Sequence, residues 1–242
     1  MFWDSRIKQT FTVALATAAM VAAAPAMAGV VVKSSGPSAD SYPVGKKVGD
    51  NDRITLNEGD EVTVLNESGT RVLRGPGTYR AGARGANTRI RFSQLTRQSS
   101  ALRVRTGAAR AGEGEVRSPN LWYVDVTKSG TVCVPALEDV KLWRPRTEGE
   151  ETYILRPAGS DYHHHVTFGD GVMVRRLDSE RLKLEAGSEY RISGPDASEA
   201  TTVRFAVVEA SDQPEGTADA LIAEGCTIQL DLLAQALENE EG

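Results

Sequence analysis

The sequence predicts a mainly β protein: a small β domain followed by an antiparallel β-sandwich with C-terminal α-helices. Three observations carry this reading. From Gly29 to about Arg84, short apolar stretches are separated by turn residues at intervals of about ten residues, the spacing of a small sandwich or barrel. From Leu121 onward, about nine further stretches follow the same rule. After Gly216 the apolar period lengthens from that of a strand to that of a helix.

The chain opens on a different pattern. Arg6 and Lys8 precede an apolar run from Phe11 to Ala24, and Pro25 and Ala26-Met27-Ala28 lead to Gly29. A basic start, a short apolar run and small residues at a cleavage point are the parts of a secretory signal peptide. Residues 1–28 are therefore read as a signal, with the mature chain beginning at Gly29 in the periplasm or outside the cell. The run falls short of the roughly 20 residues that cross a bilayer. No later stretch approaches that length, so no membrane span is expected in the mature chain. Losing Arg6, Lys8 and Asp4 takes the 28 Lys plus Arg to 26 and the 33 Asp plus Glu to 32, a net charge of −6. Two cysteines, Cys133 and Cys226, remain, and an even number in an exported chain predicts one disulfide. They form no C-x-x-C, which argues against a catalytic redox pair.

The first domain, residues 29–85, begins with "GVVVKSSG" as a strand. "RITL" and "NEGDEVTVLNESGTRVLRGPGTY" supply more, broken at Asn57-Glu58-Gly59, at Asn66-Glu67-Ser68-Gly69 and at Gly75-Pro76-Gly77. Within "DEVTVLN", Val62, Val64 and Asn66 share one face while Thr63 and Leu65 take the other, so both faces are expected to be partly covered. The segment from Tyr42 to Tyr79 resembles the β module of FecR-type periplasmic proteins. Gly45, Val48, Asp52, Ile54, Leu56, Val62, Val64, Gly69, Thr70, Val72 and Leu73 carry the likeness. It implies a domain type only. FecR proper relays a signal through a cytoplasmic segment and a membrane helix, neither of which is read in this sequence, so the regulatory activity is not carried over.

Residues 86–118 read as an Arg-rich helical connector and linker. Residues 71–110 hold ten arginines and neither lysine nor acid. "NTRIRFSQLTRQ" suits one short helix anchored by Ile90, Phe92 and Leu95, and the Gly- and Ala-rich "RVRTGAARAGEGEVRSP" follows as a linker. Arg80, Arg84, Arg89, Arg91, Arg97, Arg103 and Arg105 are candidates for binding an anion or a partner. Only Tyr79 and Phe92 interleave with them as stacking platforms, and export removes the usual target, so nucleic acid is set aside. The competing reading docks this segment on the acidic half of the same chain, since residues 29–118 sum to +6 and residues 119–242 to −12.

In residues 119–242 the expected strands are "LWYVDV", "TVCV", "VKLWR", "ETYILRP", "HHHVTF", "VMVRRL", "RLKLEAG", "EYRISG" and "TTVRFAVVEA". Gly225 is placed to end one C-terminal helix and Thr227 to restart another, with Cys226 at the break. Trp122, Tyr123 and Trp143 are read as core.

The only three histidines stand together at His163, His164 and His165. On a strand, Tyr162, His164, Val166 and Phe168 face the core, and Asp161, His163, His165 and Thr167 face outward. Two imidazoles and a carboxylate on one face are the donor types of a zinc or non-haem iron site. Against that, Asp161 lies about 13 Å along an extended strand from His165, too far for three ligands to converge. No Gly-x-Ser-x-Gly elbow or phosphate loop is present, and no enzyme is expected. The reading that results is a non-catalytic periplasmic interaction or sensing module that binds an envelope protein or an anionic polymer and needs no cofactor. The alternative is a metal-binding protein or metalloenzyme using His163, His165 and Asp161 with zinc or iron.

Overall fold

The structure, a computed structural model, describes residues 27–82, 88–97, 116–195 and 200–238. Residues 1–26 of the expected signal peptide (1–28), and Arg84, Arg103 and Arg105 of the connector, lie outside the described residues.

The first domain is built from β1 (Met27–Ser35), β2 (Lys47–Gly49), β3 (Arg53–Leu56), β4 (Glu61–Asn66), β5 (Gly69–Arg74) and β6 (Gly77–Arg80). Four of them form a sheet in the order β2-β1-β4-β5, and β3 pairs with β6 as a separate ribbon. Strand alternation divides the apolar residues between two cores. Val31, Val62, Val64 and Leu73 pack with Ile54 and Leu56 of the ribbon. Val30, Val32 and Leu65 point to the opposite face and enter a different core. Both faces of the sheet are thus covered, which explains why Val62 through Asn66 are all buried. The turn between β3 and β4 is closed by Asp60, whose carboxylate accepts from Asn57 N–H at 2.5 Å and from Ser38 N–H at 2.8 Å. A side chain at Gly75 would place its Cβ 1.8 Å from the Asn57 carbonyl oxygen, so only glycine passes there.

Helix α1 (Thr88–Thr96) follows, and then the strands of the second domain. These are β7 (Tyr123–Asp125), β8 (Gly130–Val134), β9 (Lys141–Trp143), β10 (Glu151–Pro157), β11 (His164–Phe168), β12 (Val174–Arg176), β13 (Glu189–Ser193) and β14 (Ala200–Val207). A five-stranded sheet, β11-β10-β13-β14-β8, faces a three-stranded sheet, β12-β9-β7. Leu155, Phe168, Ile192 and Phe205 of the larger sheet meet Val124 and Leu142 of the smaller one. Trp122, Tyr123 and Trp143 are buried, as expected. Most pairings are antiparallel, while β8 with β14 and β7 with β9 are parallel.

One expected strand does not form. "RLKLEAG" buries Leu182 and Leu184 but joins no ladder. Its backbone is satisfied otherwise: Leu182 N–H donates to the Asp178 carbonyl at 2.9 Å, and Glu185 N–H to the Tyr190 hydroxyl at 2.9 Å. Alternating burial needs only an extended chain, not a neighbouring strand.

The C-terminal helices α2 (Pro214–Ala223) and α3 (Thr227–Ala236) bury one face against both β domains. Leu221, Leu230, Leu233 and Leu237 pack at once against Val30, Val32 and Leu65 of the first sheet, Phe92 and Leu95 of α1, and Leu121 and Trp122. Gly225, with φ of 71°, breaks the helix, and Cys226 N–H reaches back to the Leu221 carbonyl at 2.8 Å. The expected disulfide is there: Cys133 on β8 and Cys226 at the head of α3 are bonded, with Cα atoms 5.9 Å apart and both residues fully buried. Gln229, one turn further on, accepts from Cys133 N–H and donates to Cys133 C=O, both at 2.7 Å, and donates to Leu121 C=O at 2.7 Å. Its amide thus stands where a neighbouring strand would and closes the β8 edge. Among the described residues no helix is long and apolar enough to cross a membrane.

Candidate functional site

The opposite edge of the large sheet is β11, the histidine strand, and among the described residues no strand pairs with its outer side. Its register with β10 puts Thr167 beside Thr152 and His165 beside Ile154. The two threonine hydroxyls meet at 2.8 Å, the close side-chain approach of a non-hydrogen-bonded antiparallel pair. The backbone groups of Thr167, and of His165 two residues earlier, therefore turn away from β10. Arg175 confirms the direction, since its Nε donates to the Thr167 carbonyl from outside the sheet at 2.7 Å.

Beyond that edge lies a groove of about 390 Å³ between β11 and the segment from Arg175 to Arg181. His164, His165, Val166 and Thr167 form one wall, and Arg175, Arg176, Asp178 and Arg181 the other. Arg181 is bridged to Asp178 at 3.3 Å and Arg176 to Asp139 at 3.0 Å. Arg175 forms no ion pair among the described residues. Three guanidinium groups against two carboxylates leave the groove basic before any imidazole is protonated. His164, on the side of Val166 and Phe168, is half-buried. Burial holds its pKa below the ordinary value; Asp178 opposes this, and Arg181 and His165 reinforce it.

A buried arginine fixes the far end of this hairpin. Arg144 is fully buried beside the ring of Phe168, and its Nε donates to the Val172 carbonyl and its Nη2 to the carbonyls of Gly149 and Gly169, each at 2.9 Å. Glu151 balances the charge at 2.9 Å from Nη1. Tyr153 donates to the same carboxylate at 3.1 Å, and burial, with Glu151 beside it, pushes its pKa up to about 12. This knot ties the loop before β10 to the loop after β11 and so holds one end of the β10–β11 pair.

The proposed metal ligands do not converge. His163 and His165 are exposed with ring centroids 5.1 Å apart, as expected for neighbours on one outward face. Asp161 precedes the strand and meets His163 through its carbonyl oxygen, 3.2 Å from Nδ1. Among the described residues no three His, Cys, Asp or Glu side chains are grouped to hold a metal ion. Tyr162 departs from expectation: it is 49% exposed, and its hydroxyl donates to the Arg181 carbonyl at 2.6 Å across the mouth of the groove. β11 starts only at His164, so alternation does not extend back to Tyr162.

The connector arginines are arranged differently from those of the groove. Arg80 is exposed at the end of β6, and Arg89, Arg91 and Arg97 are exposed on and just after α1. The helix docks through Phe92 and Leu95, and Arg91 donates to the Glu238 carbonyl at 2.9 Å, at the C-terminal end of α3. Among the described residues, Arg80, Arg89, Arg91 and Arg97 form no ion pair with a carboxylate. Among the described residues, the one ion pair between the first domain and α2 is Lys47 with Asp219.

Sequence reading passed over Arg175, Arg176 and Arg181. A signal was there: "MVRRLDSERLK" brings a basic run within ten residues of the histidines, at hairpin distance. No protein-family model matches the chain, and no curated protein matches it either.

Proposed function

We propose that the chain is a non-catalytic interaction module of the bacterial periplasm that captures an anionic envelope partner in the groove beside β11. The observation that carries this reading is the meeting of Arg175, Arg176 and Arg181 with His164 and His165 along one unclosed sheet edge. The signal-like N-terminus and the disulfide support an oxidising compartment, and the FecR-type likeness of the first domain fits an envelope protein. The exposed arginines of α1 offer a second basic face for the same class of partner.

The test uses the untagged chain from Gly29 and two labelled polyanions, poly-L-glutamate and dextran sulfate, followed by fluorescence anisotropy. Binding should saturate and weaken as salt rises. It should fall about tenfold or more in Arg175→Gln/Arg181→Gln, the expected scale for losing charge-assisted hydrogen bonds. Failure of both polymers to bind, or binding indifferent to the double substitution, would overturn the groove as the site. Loss in Arg89→Gln/Arg91→Gln/Arg97→Gln instead would move it to α1.

The paired rings of His163 and His165 support a second reading, a zinc or iron site completed by a ligand from elsewhere. Elemental analysis of the untagged chain decides it. About one metal per chain, lost in His163→Ala/His165→Ala, supports the site, and no metal after reconstitution ends it.

A further inference from the structure

We infer that the groove takes an acidic peptide in extended conformation, added to β11 as a sixth strand of the large sheet; the inference rests on the anionic-partner reading above. The two edges of that sheet are treated differently. At β8 the outward N–H and C=O of Cys133 are both taken by the Gln229 amide. At β11 only the outward carbonyl of Thr167 is taken, by Arg175. His165, two residues earlier, presents its N–H and C=O to the same side, and neither has a hydrogen-bond partner among the described residues. An open donor and acceptor in strand geometry are the template for strand addition, and main-chain pairing of this kind gives affinity without demanding a particular sequence.

Charge selects the occupant. A strand laid along β11 runs between the imidazole of His165 and the guanidinium groups of Arg175 and Arg181 across the groove. Acidic side chains on that strand meet cations, whereas basic ones would be repelled. Arg175 also holds the Thr167 carbonyl in place, so it both shapes the edge and supplies charge. A polysaccharide or polyphosphate satisfies the arginines equally well but offers no amide to pair with His165. That difference separates a peptide from the other polyanions.

The experiment compares three probes on the untagged chain from Gly29. They are an alternating Glu-Val heptapeptide, the same peptide N-methylated at every second residue, and dextran sulfate. Methylation keeps the charges and removes half of the main-chain donors. The parent peptide should bind, the methylated one about tenfold more weakly, and hydrogen exchange of the His165 amide should slow only with the parent. His165→Pro, which removes an outward N–H that the β10 ladder does not use, should weaken the parent peptide and leave dextran sulfate unaffected. Equal binding of both peptides, or no protection at His165, would overturn strand addition while leaving anion capture standing. Dextran sulfate binding without peptide binding would do the same. No binding of any probe would bring down the anionic-partner reading itself.

Discussion

At the scale of single residues, Gln229 does more than its place in the sequence suggests. In "TIQLD" it looks like an ordinary solvated helix residue. In the fold it is 4% exposed and satisfies three backbone groups of β8 and the Leu121 segment. A buried donor or acceptor stripped of its partner costs about 1–3 kcal/mol, far more than the net value of a typical hydrogen bond. Gln229→Leu keeps the bulk and removes every bond, so it should destabilise by about 3 kcal/mol or more in urea titration, with the m-value unchanged. A loss within a few tenths of a kcal/mol would show that the β8 edge needs no closing. No local pattern marks this residue, because its partners lie about a hundred positions away: 96 for Cys133 and 108 for Leu121.

Elements were legible in proportion to how local their cause is. Turn residues and period-two alternation located every strand of the second domain, because both act within a few residues. The same alternation misread "RLKLEAG", where Leu182 and Leu184 fill the core without a ladder. It also extended the histidine strand too far, to Tyr162. The histidine face itself was readable, but which edge stays open was not, since that depends on strand order. The half-burial of His164 on β11 has a consequence in pH. Its folded pKa lies below the ordinary value of 6.5, so the unfolded chain takes up the proton first. The stability contributed by neutral His164 is complete above about pH 6.5 and is lost as pH falls toward the folded pKa. Asp178 works against this, while Arg181 and His165 work with it. Melting temperature should therefore fall between pH 7 and 5.5, and the fall should be smaller in His164→Asn. Glu215, whose carboxyl is pushed up mainly by burial, acts with the opposite sign, so the difference between the two proteins isolates the imidazole. Identical slopes would mean that His164 meets no more desolvation in the fold than in the unfolded chain.

At the scale of the whole molecule, the two β domains are joined through the chain's end. A reading of charge alone expects the basic connector to dock on the acidic half. The connector helix α1 does dock there, but through apolar residues: it shares one core with β1, β4, α2 and α3, and among the described residues a single ion pair, Lys47 with Asp219, joins α2 to the first domain. Three kinds of bond then fix α3: the disulfide and Gln229 at β8, and Leu237 C=O, which accepts from Thr70 N–H of β5 at 2.9 Å. Without the helices, Val30, Val32 and Leu65 of the first domain and Trp122, Ala206 and Val208 of the second would lose their shared cover, while each domain would keep a core of its own. The disulfide closes a span of 93 residues, for which the chain-entropy model gives about 4–5 kcal/mol. Cys133→Ala/Cys226→Ala should lose roughly that amount, about 4–5 kcal/mol, in one transition rather than two. Fluorescence of Trp122 and Trp143 reports the second domain, and hydrogen exchange at Val31 and Val64 reports the first. Coincident midpoints in the double variant would show that the shared core, not the covalent bond, makes the two domains a single cooperative unit. If the second domain melts while Val31 and Val64 stay protected, the first domain is stable alone and the helices merely tether it.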